Sequence, residues 1–505
     1  MDAASPPDRR DLLLAAGVSL LAGLLVLAWR GAIGVEGALG QDATAWGLAA
    51  EGLWQGRSSP LPPAWPLLVA ACRGLGLALV PAGTAVSSLA AVALPGALLL
   101  SARAAGASRL GAGLAALLLL AVPDWMGWAS SMDSNSLVAL GLVAATGLWA
   151  GALSSGRPPG PGLSLGLVLL TGLLPLLRES TLPAVAAAML LGLGLGRRGL
   201  AIALGILAVW WLSPLLLLEA PGPSPLQTPW QDRGSTALAD LSSGTGPLPN
   251  YVGEIPREAR GAYIEALRGG DLAALALFHA RRSLEIARDG WLFTLALLLT
   301  LAARWPARPA LRAALLPLLC LAPALLIWTQ RRHVLLAVPA MLVLLALVAR
   351  PGGRRALTLL ASGLVLIAAL GWPARWTALA AEQRGEGRRA QALIELGAWI
   401  CAEDPKLLGG PIQDVALYCP RPRHEPDGSL ADWHTLLVLP RQAARGFQAR
   451  GWEAVGPPAA DLLVLQLHPE QERPCPEAEV SADTPYLQTR PVPARLIGCD
   501  EGERP

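Results

Sequence analysis

A chain of 505 residues that is 53% hydrophobic and only 15% charged, with a mean hydropathy of +0.46, lies outside the composition of soluble globular proteins and belongs in lipid. Its formal net charge of +3, from 40 basic and 37 acidic residues, is too small to support nucleic-acid binding, and the basic residues are spread along the chain rather than gathered in one patch. All of them except Lys406 are arginine, a bias that reads as genome composition.

In chain order, apolar stretches predict about eleven spans, at 12–30, 84–102, 110–127, 135–153, 162–177, 181–196, 199–218, 287–303, 311–329, 333–349 and 355–372. Each is near the roughly 17–25 residues that cross about 30 Å of hydrocarbon. The first follows Arg9 and Arg10 in the manner of a signal peptide, but Leu12–Trp29 lacks a small-x-small cleavage site and is expected to remain as an anchor. With the N-terminus cytoplasmic, the inner short loops hold thirteen arginines, among them the pairs Arg9–Arg10, Arg197–Arg198 and Arg354–Arg355, against six in the outer short loops and loop 31–83. The positive-inside rule therefore sets this orientation. Leu61–Pro81 is apolar enough to span, yet a crossing there would turn every later arginine pair outward. With Pro60, Pro62, Pro63 and Pro66 at its start and Arg73 inside it, it is expected to be an interfacial or re-entrant helix.

The predicted fold is an all-α polytopic membrane domain over 1–372, with outer loops 31–83 and 219–290, followed by a small α/β extracytoplasmic C-terminal domain over 373–505. Loop 219–290 opens Pro/Gly-rich and becomes helix-like over Glu258–Arg288. The tail carries a helical pattern over Arg384–Ile400 and short β-like runs at Thr435–Leu439 and Asp461–Leu467. Cys72 and Cys320 sit in apolar segments, whereas Cys401, Cys419, Cys475 and Cys499 all lie in this tail, where oxidation is allowed. The local pairs Cys401–Cys419 and Cys475–Cys499 are expected, with free thiols as the alternative.

After the first span, Asp42 is followed by Trp46, Ala49, Ala50, Leu53 and Trp54 at i, i+3, i+4, i+7 and i+8 from Trp46, which predicts a helix with two tryptophans on one apolar stripe, lying in the interface and ending at Gly56. Asp42 suits the N-cap of that helix. An ionised carboxylate at the membrane surface is equally where a general base for a lipid-linked substrate is needed. Three further outer positions have two readings each. Asp133, before Ser134 and Asn135, caps the next span or contacts a ligand. Arg178–Glu179 forms a solvated turn or a phosphate contact. Arg331, Arg332 and His333 run against the positive-inside rule, so either they snorkel to headgroups or they serve a site.

An Asp shortly after the first span, an aromatic four residues on, a small-residue helix, a Pro-rich stretch and an apolar helix resemble the GT-C membrane glycosyltransferases of the protein-mannosyltransferase-like group, which includes the bacterial enzymes that add aminoarabinose to lipid A. Many members carry Asp-Glu where this chain has Asp42-Ala43. The resemblance implies a sugar donor on a polyprenyl phosphate, an extracytoplasmic acceptor, and inversion at the anomeric carbon with Asp42 as general base. It further implies that Arg332 and Arg178 contact the donor phosphate, with Asp133, Glu179 and His333 as substrate or metal contacts. No Cys/His spacing suggests zinc, a divalent metal stays open, and no Walker or GxGxxG loop supports a nucleotide site. Two other classes compete: a transporter or flippase for a lipid-linked sugar, and a catalytically silent membrane assembly subunit. Transporters place ionisable residues near the bilayer midplane and show repeated halves; here the informative charges sit at the outer face and no halves repeat.

Overall fold

The computed structural model describes residues 7–34, 43–54, 61–155, 158–178, 181–217, most of 261–281, 309–326, 336–348, 372–403 and the strands beyond. The expected spans 287–303 and nearly all of 355–372, and most of loop 219–290, lie outside the described residues. Within 258–288, residues 261–263 and 273–278 are helical and 269–270 form a turn.

α1 (Arg9–Ile33) starts in a capping box, with the Asp8 carboxylate accepting from the N–H groups of Arg10 and Asp11 while Asp11 reaches back to the Asp8 N–H, and stops at Gly34, whose φ of 64° is left-handed. Its leucines are largely exposed, Leu20 and Leu27 by 67% and 70%, as lipid-facing side chains of a peripheral span must be. α2 (Ala43–Trp54) and α3 (Ala64–Gly74) follow. At eleven residues, α3 is about 16 Å long, shorter than the roughly 30 Å of hydrocarbon that a span crosses.

α4 (Leu79–Ala104) carries Pro95 in its interior. Proline has no N–H to give the carbonyl four residues back, and the indole Nε1–H of Trp125 donates to that Ala91 carbonyl instead, at 3.0 Å. α4 packs on α1 at Gly96, where a Cβ would lie 2.4 Å from Ser19 Oγ, and on α7 (Asn135–Ser154) at Gly147, where a Cβ would lie 2.3 Å from Ser101 Cβ. Small residues let these backbones approach without a side chain between them.

The expected span 110–127 is divided. α5 (Arg109–Ala121) ends at Val122 and α6 (Pro123–Ser130) leaves at 67°, because Pro123 begins a new helix where its missing N–H costs nothing. α8 (Pro161–Leu177), α9 (Leu182–Leu193) and α10 (Gly196–Leu217) come next, then a 3₁₀ helix (Pro309–Ala314), α11 (Leu315–Leu326) and α12 (Val338–Val348). α12 packs on α4, α5 and α7 and is buried along its described length. Among the described residues α1, α4 and α7 are each long and apolar enough to cross a membrane, and the bent α5–α6 pair makes a fourth.

α13 (Trp372–Glu403) begins twelve residues before the expected Arg384 start, with Pro373 in its first turn. It lies against α1, α6 and β3. The strands β1 (Leu407–Gly409), β2 (Thr435–Pro440), β3 (Glu453–Ala459) and β4 (Leu462–Gln466) form one sheet in the order β1-β2-β4-β3. β1 pairs parallel with β2, and the other pairs are antiparallel. Cys401 at the end of α13 is disulfide-bonded; Cys419, Cys475 and Cys499 lie outside the described residues.

Candidate functional site

α2 and α3 fold against each other and against the start of α4. Trp46 of α2 meets Trp65 of α3 edge-on, with ring centroids 5.7 Å apart, and Ala43, Ala49, Ala50 and Val69 are buried around them. The expected stripe that carries both tryptophans on one apolar face is thereby split. Trp46 turns into the protein, while Trp54 is 48% exposed and has the Arg73 guanidinium 5.4 Å from its ring centroid. Arg73 also pairs with Glu51.

From Trp65 a chain of hydrogen bonds runs across the end of the bundle. Its Nε1–H donates to Ser87 Oγ of α4 at 3.2 Å, and that hydroxyl donates to the backbone carbonyl of Asp133 at 2.8 Å. The Asp133 carboxylate accepts twice from Asn135, from the backbone N–H at 2.8 Å and from Nδ2 at 2.7 Å. Asn135 Oδ1 in turn accepts from Nη1 of Arg178, at the C-terminal end of α8. Asp133, Asn135 and Arg178 are only 7%, 4% and 6% exposed. A carboxylate and a guanidinium so far from water persist only when their hydrogen bonds are supplied by the protein.

Local backbone fixes the two ends. Asp133 stands one residue before the Ser134 N-cap of α7, and its carboxylate accepts from the N–H of Asn135, the first residue of the helix. Arg178 is an extended residue (φ −167°, ψ 140°) after the last turn of α8, and its carbonyl accepts from both the N–H and the hydroxyl of Thr181. The hydroxyls of Ser134 and Ser136, both fully buried, have no partner among the described residues.

Of the residues singled out from the sequence, the structure brings Asp133 and Arg178 into one network. Asp42, Glu179, Arg332 and His333 lie outside the described residues, although α2 begins at Ala43, directly after Asp42. Asn135, Ser87 and Trp65 were not singled out. The available signal was the run Asp133-Ser134-Asn135-Ser136, four polar residues in succession beside an otherwise apolar helix. Among the described residues no three His, Cys, Asp or Glu side chains converge as a metal site.

Two other polar clusters lie elsewhere. At the opposite end of α4, the fully buried Asp11 accepts from Arg103 Nε at 3.1 Å and Arg109 Nε at 2.8 Å, and Arg109 also pairs with Asp8. The Asp11 N–H and the Arg109 guanidinium hold the exposed Asp8 carboxyl below the usual carboxylate range. Where α13 crosses α1 and α6, Trp29 Nε1–H donates to Gln383 at 2.6 Å, the Trp29 and Trp376 rings meet edge-on at 5.0 Å, and Arg375 pairs with Asp124 at 2.7 Å.

No protein-family model matches the chain, and no curated protein matches it. Solved structures do. The chain is similar to ArnT from Cupriavidus metallidurans bound to undecaprenyl phosphate (TM-score 0.56, 13% identity, covering 89% of this chain and 97% of that one). It is similar to the apo state of the same protein (TM-score 0.54, 14% identity, 90% and 98%). An oligosaccharyltransferase from Archaeoglobus fulgidus, tethered to an acceptor peptide, matches at TM-score 0.52 and 14% identity over 82% of this chain and 60% of its own length. These are GT-C glycosyltransferases, and the chain has their fold.

Proposed function

We propose that this GT-C-fold chain is an inverting membrane glycosyltransferase that moves a sugar from a polyprenyl-phosphate donor to an extracytoplasmic acceptor. The observation that carries the reading is the buried Asp133–Asn135–Arg178 network at the end of the bundle against which α2, the helix directly after Asp42, is packed through Trp46 and Trp65. The bound undecaprenyl phosphate of the ArnT structure supports the donor class, and the tethered peptide of the oligosaccharyltransferase supports an acceptor outside the cytoplasm.

In this reading the N-terminus is cytoplasmic. Residues 1–372 form a membrane domain of about eleven spans, and 373–505 form an extracytoplasmic α/β domain whose sheet and α13 support it. Membrane lipids surround α1. Asp42 removes the proton from an acceptor hydroxyl or amine, and the freed electron pair attacks the anomeric carbon from the face opposite the phosphate. The bond from that carbon to the phosphate oxygen breaks, its electron pair leaves with the polyprenyl phosphate, and the configuration inverts. Arg178 and Arg332 offset the charge that develops on the leaving phosphate. Asp133 orients the substrate, and Glu179 and His333 serve as further substrate or metal contacts.

Asp42→Asn keeps the shape of the side chain and removes the base. Transfer from a polyprenyl-phosphate sugar in reconstituted membranes is expected to vanish while expression and folding stay unchanged. Full transfer by this variant overturns the assignment of Asp42.

A further inference from the structure

α13 packs on β3 of the sheet and also on α1 and α6 of the bundle. Toward α6 it presents Arg375, Leu379 and Gln383, spaced four apart and so on one face. Arg375 pairs with Asp124 in the first turn of α6. Leu379 is buried, and a Cβ added at Gly127 would lie 3.5 Å from its Cδ1 and 3.9 Å from Gln383 Nε2, so α13 rests on α6 where α6 has no side chain.

Gln383 is only 4% exposed. Its Oε1 accepts from the Trp29 Nε1–H of α1 at 2.6 Å, and its Nε2 donates to the Gly127 carbonyl of α6 in a long bond of 3.5 Å. A flipped amide would set its NH₂ against an N–H and its oxygen against a carbonyl, so these partners fix one orientation. Leucine, of similar size, would fill the same space with no amide to desolvate. A buried amide bonded on both sides instead fixes how the three helices meet.

The Gly127 carbonyl also accepts from the Ser131 N–H at 3.0 Å, which closes the last turn of α6. Asp133 follows two residues later. Between them Met132 is fully buried against Gly83 of α4, where a Cβ would lie 2.7 Å from Met132 Cγ. Two bonds tie α6 itself to α4: the Trp125 Nε1–H donates to the Ala91 carbonyl, and Ser88 Oγ donates to the Ala129 carbonyl at 2.7 Å. The turn that carries Asp133 is thus held both by α4 and, through the end of α6, by α13.

We infer that Gln383 is a positioning residue: through the Gly127 carbonyl and Ser131 it sets where the Asp133 turn stands, so the helix that packs on the sheet is part of the scaffold of the transfer site. The inference rests on the glycosyl-transfer reading above, in which Asp133 orients the substrate. It runs along the backbone from Gly127 to Asp133 and is therefore independent of which groups pair with the Asp133 carboxylate.

The test compares two substitutions on one face of α13. Gln383→Leu removes both bonds and keeps the bulk. Arg375→Met, eight residues earlier, unfastens α13 from the start of α6 and leaves the Gly127 carbonyl untouched, so it controls for loss of packing alone. The full chain is placed in nanodiscs of a total bacterial lipid extract, which supplies polyprenyl-phosphate sugars. Three quantities are read: polyprenyl phosphate released per folded molecule, amide hydrogen exchange at Ser131 and Asn135, and the thermal midpoint. Both variants are expected to lower the midpoint. Only Gln383→Leu is expected to speed exchange at the two amides and to cut release, each about tenfold. Where Gln383→Leu does not fold, Trp29→Phe, which removes the donor to Oε1 alone, is read in the same way with effects of about threefold. The inference is overturned if the folded variant keeps wild-type exchange or wild-type release, or if Arg375→Met loses release to the same degree. A wild-type chain that releases no polyprenyl phosphate overturns the transfer reading instead, and exchange at Ser131 and Asn135 then still decides whether Gln383 holds the turn.

Discussion

The two ends of α4 solve the problem of buried charge differently. At its C-terminal end Asp11 meets Arg103 and Arg109 directly, and the arginines keep 16% and 39% of their side-chain surface in contact with the surroundings. Near its N-terminal end Asp133 and Arg178 are both almost wholly buried and are joined through Asn135. Direct pairing uses up both charges and fastens three helices together. Bridging by an amide joins the two charged groups through a neutral side chain, and among the described residues the hydroxyls of Ser134 and Ser136 beside them have no partner. Under the proposed function the first arrangement serves assembly and the second the charged donor.

Substitutions at the two ends should therefore fail in different assays. The largest effect on chemistry is expected from Arg178→Met, which removes the proposed phosphate contact. Transfer should fall about a hundredfold, the scale seen when one preorganised donor to a developing charge is lost. Stability should fall by only about 1–3 kcal/mol from the orphaned Asn135 carbonyl. Asp11→Asn should show the reverse. It leaves Arg103 and Arg109 without their shared carboxylate, at a cost of about 1–3 kcal/mol, lower than for a fully buried pair because both arginines are partly exposed. Its thermal midpoint should drop while transfer per folded molecule stays at the wild-type level. A loss of turnover in folded Asp11→Asn would break the comparison.

How much of this was legible in the sequence follows from which forces act locally. α1, α4 and α7 were legible because long apolar runs have few alternatives in lipid. The predicted start of α7 at residue 135 agrees with the Asn135–Ser154 helix. The break at Pro123 was not called, although proline signals it. The same residue type at Pro95 leaves α4 unbroken because Trp125, thirty residues away, supplies the missing donor. Only a tertiary contact distinguishes the two prolines. For the same reason the α2 stripe identified the helix but not its environment. Trp46 and Trp54 have equal hydropathy, and the position of Trp65 decides that Trp46 is buried and Trp54 exposed.

The site was legible as residue types on one face. Arginine bookkeeping put Asp133 and Arg178 on the same side of the membrane, but they are 45 positions apart, and no local pattern says that an asparagine joins them. From sequence Asn135 is only the first residue of the predicted span that Asp133 precedes; its amide becomes informative only when the end of α8 is beside it.

The smallest expected effect sharpens the contrast from the assembly end. Asp8 is exposed, and its carboxyl is held below the usual range first by the Asp11 N–H and then by the Arg109 guanidinium. A carboxyl whose folded value is depressed stabilises the folded state fully above its unfolded value of about 3.9, and that contribution fades as the pH falls through the lower folded value. Asp8→Asn should therefore lower the thermal midpoint slightly at neutral pH, and the gap from wild type should close in acid. Because the pair is exposed, salt should shrink the gap as well. Transfer should be unaffected at any pH where both proteins are folded, since the charge that Asp8 stabilises lies at the end of α4 away from Asp133. A gap that widened in acid would mean that Asp8 is protonated in the folded chain, and the direct pairing at this end would then not be the helix fastening described above.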